Sequence, residues 1–170
     1  MGKFDKYILG ETDDVVQIDT REDNRVATLR MTEQGNRSID IISRHLDPSI
    51  YNNSEFVEAA KQLVLKSKKN RIRILTHEPH VIVKHGHRLI DLALDLTTYI
   101  EIKVPGPEHI QLDEQLLVLD ETGYIYRQNS DRYEGRFNFN DKRSSRLLIH
   151  EFNEIWEKAR LDPNFKRAHL

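Results

Sequence analysis

The 170-residue sequence contains no cysteine. That excludes disulfides, zinc–thiolate sites and thiol nucleophiles, and it suits a reducing compartment. No apolar run approaches the ~20 residues that span a bilayer. Residues 1–14 mix charges with single apolar side chains and lack the hydrophobic stretch of a signal peptide. The expectation is a cytoplasmic protein with no membrane partner. Neither sign of charge dominates: 26 Lys and Arg stand against 28 Asp and Glu, with 8 His and a formal net charge of -2. A chain-wide electrostatic footprint for nucleic acid is therefore missing. The 7 glycines are isolated, so there is no Gly-x-Ser-x-Gly elbow and no glycine-rich phosphate loop. What remains is ordinary for one domain with its own core: 38% hydrophobic and 32% charged residues.

Along the chain, residues 1–19 carry little periodicity and read as a loosely held N-terminal arm. Thr20 with Asp23 makes an N-cap pair; Val26, Leu29 and Met31 continue on a thin apolar face, and Gly35 marks the helix end. Ser38–Ser43 is β-branched and short, a strand. Leu46-Asp47-Pro48 interrupts it, since Pro48 lacks a donor, and a helix then carries Phe56, Ala60, Leu63 and Val64. Arg71–Leu75 alternates as a second strand. A polar, His-containing loop leads to a helix with Leu89, Leu92, Ala93 and Leu96. Residues 99–104 form a third strand. Leu116–Leu119 is a continuous apolar run suited to a doubly buried strand, joined through Glu121–Gly123 to Tyr124–Tyr126 in a hairpin. Leu148, Phe152, Ile155, Trp156 and Ala159 keep a helical period. Strands alternating with helices predict an α/β fold with a mostly parallel mixed sheet flanked by helices. Ligands in such folds sit beyond the carboxyl ends of the strands. There is no internal repeat and no low-complexity linker, so residues 20–170 are expected to form a single domain after the 1–19 arm.

The segment from Leu116 to Ala159 resembles phospholipase-D-like proteins. These carry the motif H-x-K-x4-D on a buried strand, then a Gly-Ser turn and an amphipathic helix with a Phe and a Trp. Leu116–Gly123 resembles the strand and turn, and Arg146–Phe152 with Trp156 resembles the helix. A closer resemblance spans Thr20 to Leu170. It rests on Leu46-Asp47-Pro48 with Tyr51, Gly86-His87-Arg88, Asp120, Arg132–Gly135 and Phe152…Trp156, and it is to a degenerate, uncharacterised bacterial family of this type. Members occur alone or beside a GNAT-type acetyltransferase domain. The resemblance implies a phospholipase-D-like half-domain. Setting Asp120 on the motif's Asp puts Gln115 at the Lys position and Asp113 at the His position. Arg127 and Gln128 then fall where the Gly-Ser pair belongs. In the family the His attacks phosphorus while the Lys steadies charge on the phosphoryl oxygens. A carboxylate would repel phosphate, and neutral Gln115 lacks the charge-assisted contact. The resemblance thus implies an inactive phosphodiesterase with no catalytic residues, a pseudoenzyme. A lone half implies a homodimer or a missing partner half.

Four strand ends are expected to converge on a pocket: Ser43–His45, Thr76–Glu78, Val104–Pro105 and the hairpin. Arg44, Asp47, Tyr51, His77, His87 and Arg88 are its candidate anion-binding residues, with Gly86 freeing N–H groups before a helix. Against this, Arg44 and Asp47 also read as a local structural pair and Tyr51 as packing, the plainer reading of these residues. His77, His80, His85 and His87 invite zinc, but their spacing is loose, and no metal or cofactor is expected. Asp113 and Asp120 lie too far apart on a straight strand to share a proton, ~23 Å at full extension. Tyr124, Tyr126, Arg127, Arg132, Tyr133, Arg136, Phe137 and Phe139 interleave aromatic and basic groups as single-strand binders do, or as any strand with inward aromatics does. Three functions fit these features. The favoured one is a silent binding or regulatory module for an anionic ligand or a partner protein, an acetyltransferase among the partners. Its rivals are an enzyme reusing a His/Arg pocket, with a His beside a carboxylate, and a nucleic-acid-binding module.

Overall fold

The computed structural model describes residues 2–165; the last five residues of the expected 20–170 domain, and Met1 of the arm, lie outside them. Its strands are β1 (Val16–Ile18), β2 (Ser38–Ile42), β3 (Arg71–Leu75), β4 (Ile100–Lys103), β5 (Gln115–Leu119), β6 (Gly123–Arg127) and β7 (Gly135–Asn138). Its helices are α1 (Arg21–Glu33), α2 (Pro48–Tyr51), α3 (Ser54–Leu65), α4 (Pro79–His85), α5 (Arg88–Asp95) and α6 (Lys142–Lys158). The seven strands form one sheet in the order β1-β7-β6-β5-β2-β3-β4.

The α/β architecture is the expected one, with a correction to the sheet. Only β2·β3 and β3·β4 are parallel; β2·β5, β5·β6, β6·β7 and β1·β7 are antiparallel. The mixed sheet is thus mostly antiparallel. The β5–β6 hairpin enters beside β2, and β7 and β1 extend that side. Periodicity gives the longer strands but not their neighbours.

Two apolar layers hold the sheet. One face carries Ile39, Ile41, Ile72, Ile74, Leu117 and Leu119 against α1, α3 and α5. The other carries Ile42, Leu75, Leu116 and Val118 against Ile149, Phe152 and Ile155 of α6. β5 is buried along its whole length because both faces are covered. Local signals explain the helix ends. Thr20 accepts from the Asp23 N–H at 3.0 Å, Asn53 Oδ1 from Phe56 at 2.8 Å and Asp141 Oδ1 from Ser144 at 2.9 Å. The arm is not loose. Phe4 and Tyr7 pack edge-on against Phe137 at 5.0 and 5.5 Å, and β1 pairs with β7.

Asp120 fixes the hairpin to the start of β2. Its Oδ1 accepts from the N–H groups of Arg37 (2.7 Å) and Ser38 (3.0 Å), and its Oδ2 from Asn36 (2.8 Å). Asp120 and Glu121 both take φ of 54°, the left-handed backbone that a tight hairpin turn requires.

Candidate functional site

Antiparallel pairing of β2 with β5 sets Ile42 opposite Leu116. Arg44, two residues past β2, therefore meets the segment that enters β5. The Arg44 N–H donates to Gln115 Oε1 at 3.0 Å. Its Nε meets Asp113 Oδ1 at 3.1 Å, and Nη2 donates to the Ile110 carbonyl at 2.9 Å and to that of Leu112. The Gln115 amide NH2 donates to the carbonyls of Asp113 and Glu114, both at 3.0 Å. Asp113 also accepts from Ser130 Oγ at 2.6 Å and from the Ser130 N–H at 3.0 Å. Those bonds, with Arg44 adding to them, hold the Asp113 carboxyl below its ordinary range.

His77 joins through backbone and ring. Its N–H and the Thr76 hydroxyl both donate to the Arg44 carbonyl, at 3.3 and 3.1 Å. Its Nε2 lies 3.1 Å from the His109 carbonyl, which makes Nε2 the protonated nitrogen. Burial lowers its pKa. The carboxylate of Glu78 goes instead to His45, 2.9 Å from Nδ1 on the exposed rim.

Tyr51 borders an adjoining cavity, and Asp47 lies four residues before it at the start of α2. Asp47 Oδ1 caps Ser49 at 2.9 Å and Oδ2 accepts from the Tyr133 hydroxyl at 2.6 Å. Tyr51 is buried, with its pKa pushed up by burial. With Asn24, Thr28, Gln115 and Arg127 it lines a space of about 20 Å³, enough for about one water. Arg127 is 6% exposed. Its guanidinium lies 5.1 Å from the Tyr133 ring centre and Nη2 donates to the Ser130 carbonyl at 3.1 Å. Its Nε has no partner, and among the described residues no carboxylate is paired with it.

The structure thus brings together Arg44, His77, Asp113 and Gln115, with Asp47 and Tyr51 beside them. It sends three others elsewhere. His87 is buried with Nε2 2.9 Å from the Leu46 carbonyl, while Nδ1 accepts from Leu89 as the cap of α5. Arg88 is exposed in a groove between α3 and α5, with Ser54, Glu58 and Lys61. Asp120 stands at the opposite end of β5 from Asp113. The Val104 strand end is also outside, bridged to Arg160. Gly86 donates its N–H to Val83, so the turn there is occupied by the ends of α4 and α5. Sequence reasoning missed Ser130 and Asn24. It named Arg127 among stacking residues and at the Gly-Ser position of the motif, but not as a buried cation. No group of three or more His, Asp or Glu is placed to hold a metal among the described residues. Of the candidate stacking residues, Tyr124, Phe137 and Phe139 are core.

The fold is that of a phospholipase-D-like half-domain. It is similar to a phospholipase D family member, Nuc from Salmonella typhimurium (14% identity, TM-score 0.61, 86% of this chain and 96% of that one). It is also similar to NucT from Helicobacter pylori (10% identity, TM-score 0.63, 88% and 99%). A third neighbour is the archaeal chromatin protein TrmBL2, described with a novel mode of DNA binding (20% identity, TM-score 0.65). There the match covers 89% of this chain but spans 55% of the neighbour. No curated protein sequence matches this one. The chain belongs to the family described as Domain of unknown function (DUF7931), whose model matches residues 20–168.

Proposed function

We propose that this domain is a catalytically silent phospholipase-D-like module that works by binding a partner protein or an anionic ligand. The observation that carries the reading is the use made of Asp113 and Gln115. At the positions the resemblance assigns to the nucleophile and its lysine, both side chains are consumed by Arg44, Ser130 and local carbonyls. A carboxylate held ionised beside an arginine repels an incoming phosphodiester, and an amide with every polar atom engaged has no donor left for a phosphoryl oxygen. The enzyme alternative needs a histidine beside a carboxylate in a cleft. His77 faces a carbonyl, His87 caps a helix, and the His45–Glu78 pair lies on the rim.

Binding at this end of the sheet is limited by space. A cavity of about 20 Å³ holds about one water and does not admit a phosphate, so a small-molecule anion would have to push its lining apart. Surface binding of a protein, an acetyltransferase domain included, needs no such movement. Nucleic-acid binding takes support from the chromatin-protein neighbour but loses three of its stacking aromatics to the core.

Hydrolysis of bis(p-nitrophenyl) phosphate and of DNA by the purified chain, beside its Asp113→Asn variant, tests the reading. The expected result is background turnover for both. Turnover that disappears in the Asp113→Asn protein would overturn it.

A further inference from the structure

A charge taken out of water is costly unless an opposite charge or several hydrogen bonds meet it. The buried acids Asp40 and Asp120 follow that rule. Asp40 has Arg73 at 2.7 Å, and Asp120 has the N–H groups of residues 36–38. Arg127 does not. It is 6% exposed, yet it forms no ion pair among the described residues. The acids bonded to its neighbours are committed: Asp47 to Ser49 and Tyr133, Asp113 to Arg44 and Ser130. What Arg127 has instead is the carbonyls of Ser130 at 3.1 Å and Asn129 at 3.5 Å, and the face of the Tyr133 ring. These supply partial charge only, and Nε has no partner at all.

The same side chain borders the space of about 20 Å³ between the sheet and helices α1 and α2. Thr28 on α1 and Tyr51 on α2 add a hydroxyl each to its lining. Burial keeps the Tyr51 hydroxyl protonated, so it is a donor at neutral pH. The two amides of the lining give no donor: Gln115 turns its NH2 to the carbonyls of Asp113 and Glu114, and Asn24 to those of Thr20 and Tyr133. A cation and two hydroxyl donors around one small space favour an anion. Size then sets its class. Phosphate, sulfate and carboxylates are too large, whereas a single-atom anion is only a little larger than the one water that such a space holds. A water there fills the volume and leaves the charge unmet.

We propose that Arg127 binds a halide ion, chloride in ordinary buffers, with the hydroxyls of Thr28 and Tyr51 as its further donors. The ion ties β6 to α1 and α2 and gives Arg127 the counter-charge that no side chain supplies. Arg127 stands at one of the positions where the resemblance expects a Gly-Ser pair, so the site is this chain's own and not a remainder of a phosphodiesterase centre. It stands whether or not that centre is silent, and phosphodiester hydrolysis reads the second question without touching the first.

Melting of the full chain in sodium chloride and in sodium gluconate at equal ionic strength tests this. A ligand held only by the folded state raises stability with its concentration, whereas screening acts alike in both salts. The wild-type melting temperature should rise with chloride or bromide relative to gluconate. Arg127→Gln, which keeps a polar side chain without the charge, should lose that difference, and comparing the two proteins cancels what the salts do to the rest of the surface. Tyr51→Phe removes one donor and no charge. It should raise the chloride concentration needed for half the effect roughly fivefold, the worth of one hydrogen bond, and it tests the site even if Arg127→Gln does not fold. A crystal grown in bromide should show an anomalous peak beside Arg127. Equal melting in chloride and gluconate overturns the proposal. So does a chloride effect that persists unchanged in Arg127→Gln or keeps its half-point in Tyr51→Phe, or a bromide crystal with a water beside Arg127.

Discussion

His87 makes two hydrogen bonds that require its neutral ring: Nδ1 accepts from the Leu89 N–H, and Nε2 gives its proton to the Leu46 carbonyl. Burial lowers its pKa, so the unfolded chain takes up a proton before the folded one does. Stability from this group is present above the ordinary histidine value and declines as pH falls below it toward the folded value. His77, lowered by burial as well, adds to the same slope. Urea unfolding at about pH 7.5 and about pH 5.5 should show wild type losing stability on acidification. In His87→Asn, which keeps a capping side chain, the loss should be smaller; an identical loss would deny His87 this role. The residue was legible in part. A histidine after Gly86 at a helix start invites an anion, and nothing in the one-dimensional pattern says that the ring is itself the cap. The same holds for Asp113 and Asp120. Their identity and separation were readable, but the partners that define them, Arg44 and the 36–38 backbone, come from 69 and 82–84 residues away.

At the scale of elements, α6 docks on the sheet through a charge as well as through its apolar face. Arg73 on β3 reaches buried Asp40 on β2 at 2.7 Å and Asn153 on α6 at 2.9 Å, under the rings of Phe152 (4.7 Å) and Trp156 (5.5 Å). Burial raises the Asp40 pKa and Arg73 opposes that rise. Replacing Arg73 with Met leaves a buried carboxylate without its counter-charge, so stability should fall by about 3 kcal/mol at neutral pH. The deficit should shrink as Asp40 protonates in acid, because the folded state holds that proton more tightly than the unfolded chain. Denaturant midpoints for Arg73→Met at two pH values check both parts, and a loss that does not change with pH would contradict the assignment to Asp40. Elements long enough to show a period were readable: α1 with its Thr20 cap, α3, α6, β3, and the β5–β6 hairpin. Those that escaped are short. β1 has three residues and α2 four, and α4 opens on a proline and buries only Pro79 and Ile82. β7 comes after a loop whose mixed aromatic and basic residues resembled a binding surface.

For the whole molecule, strand order is set by which faces the remaining chain can cover, and a sequence read one strand at a time cannot supply it. The alternation of strands and helices suggested parallel pairing. The structure places the hairpin in the middle of the sheet, and that placement creates the site by laying the entrance to β5 beside the exit from β2. The central claim is that this junction is a structural joint of the folded domain, in which Arg44 and Asp113 hold each other. A double-mutant cycle in urea, with Arg44→Ala, Asp113→Ala and both together, measures that directly. Because the pair is partly open to solvent, with side chains 20% and 38% exposed, the coupling is reduced by screening to about 1 kcal/mol. Coupling near that value, with each single variant less stable than wild type, is the predicted result. Additive single changes, or an Asp113→Ala protein as stable as wild type, would contradict the account.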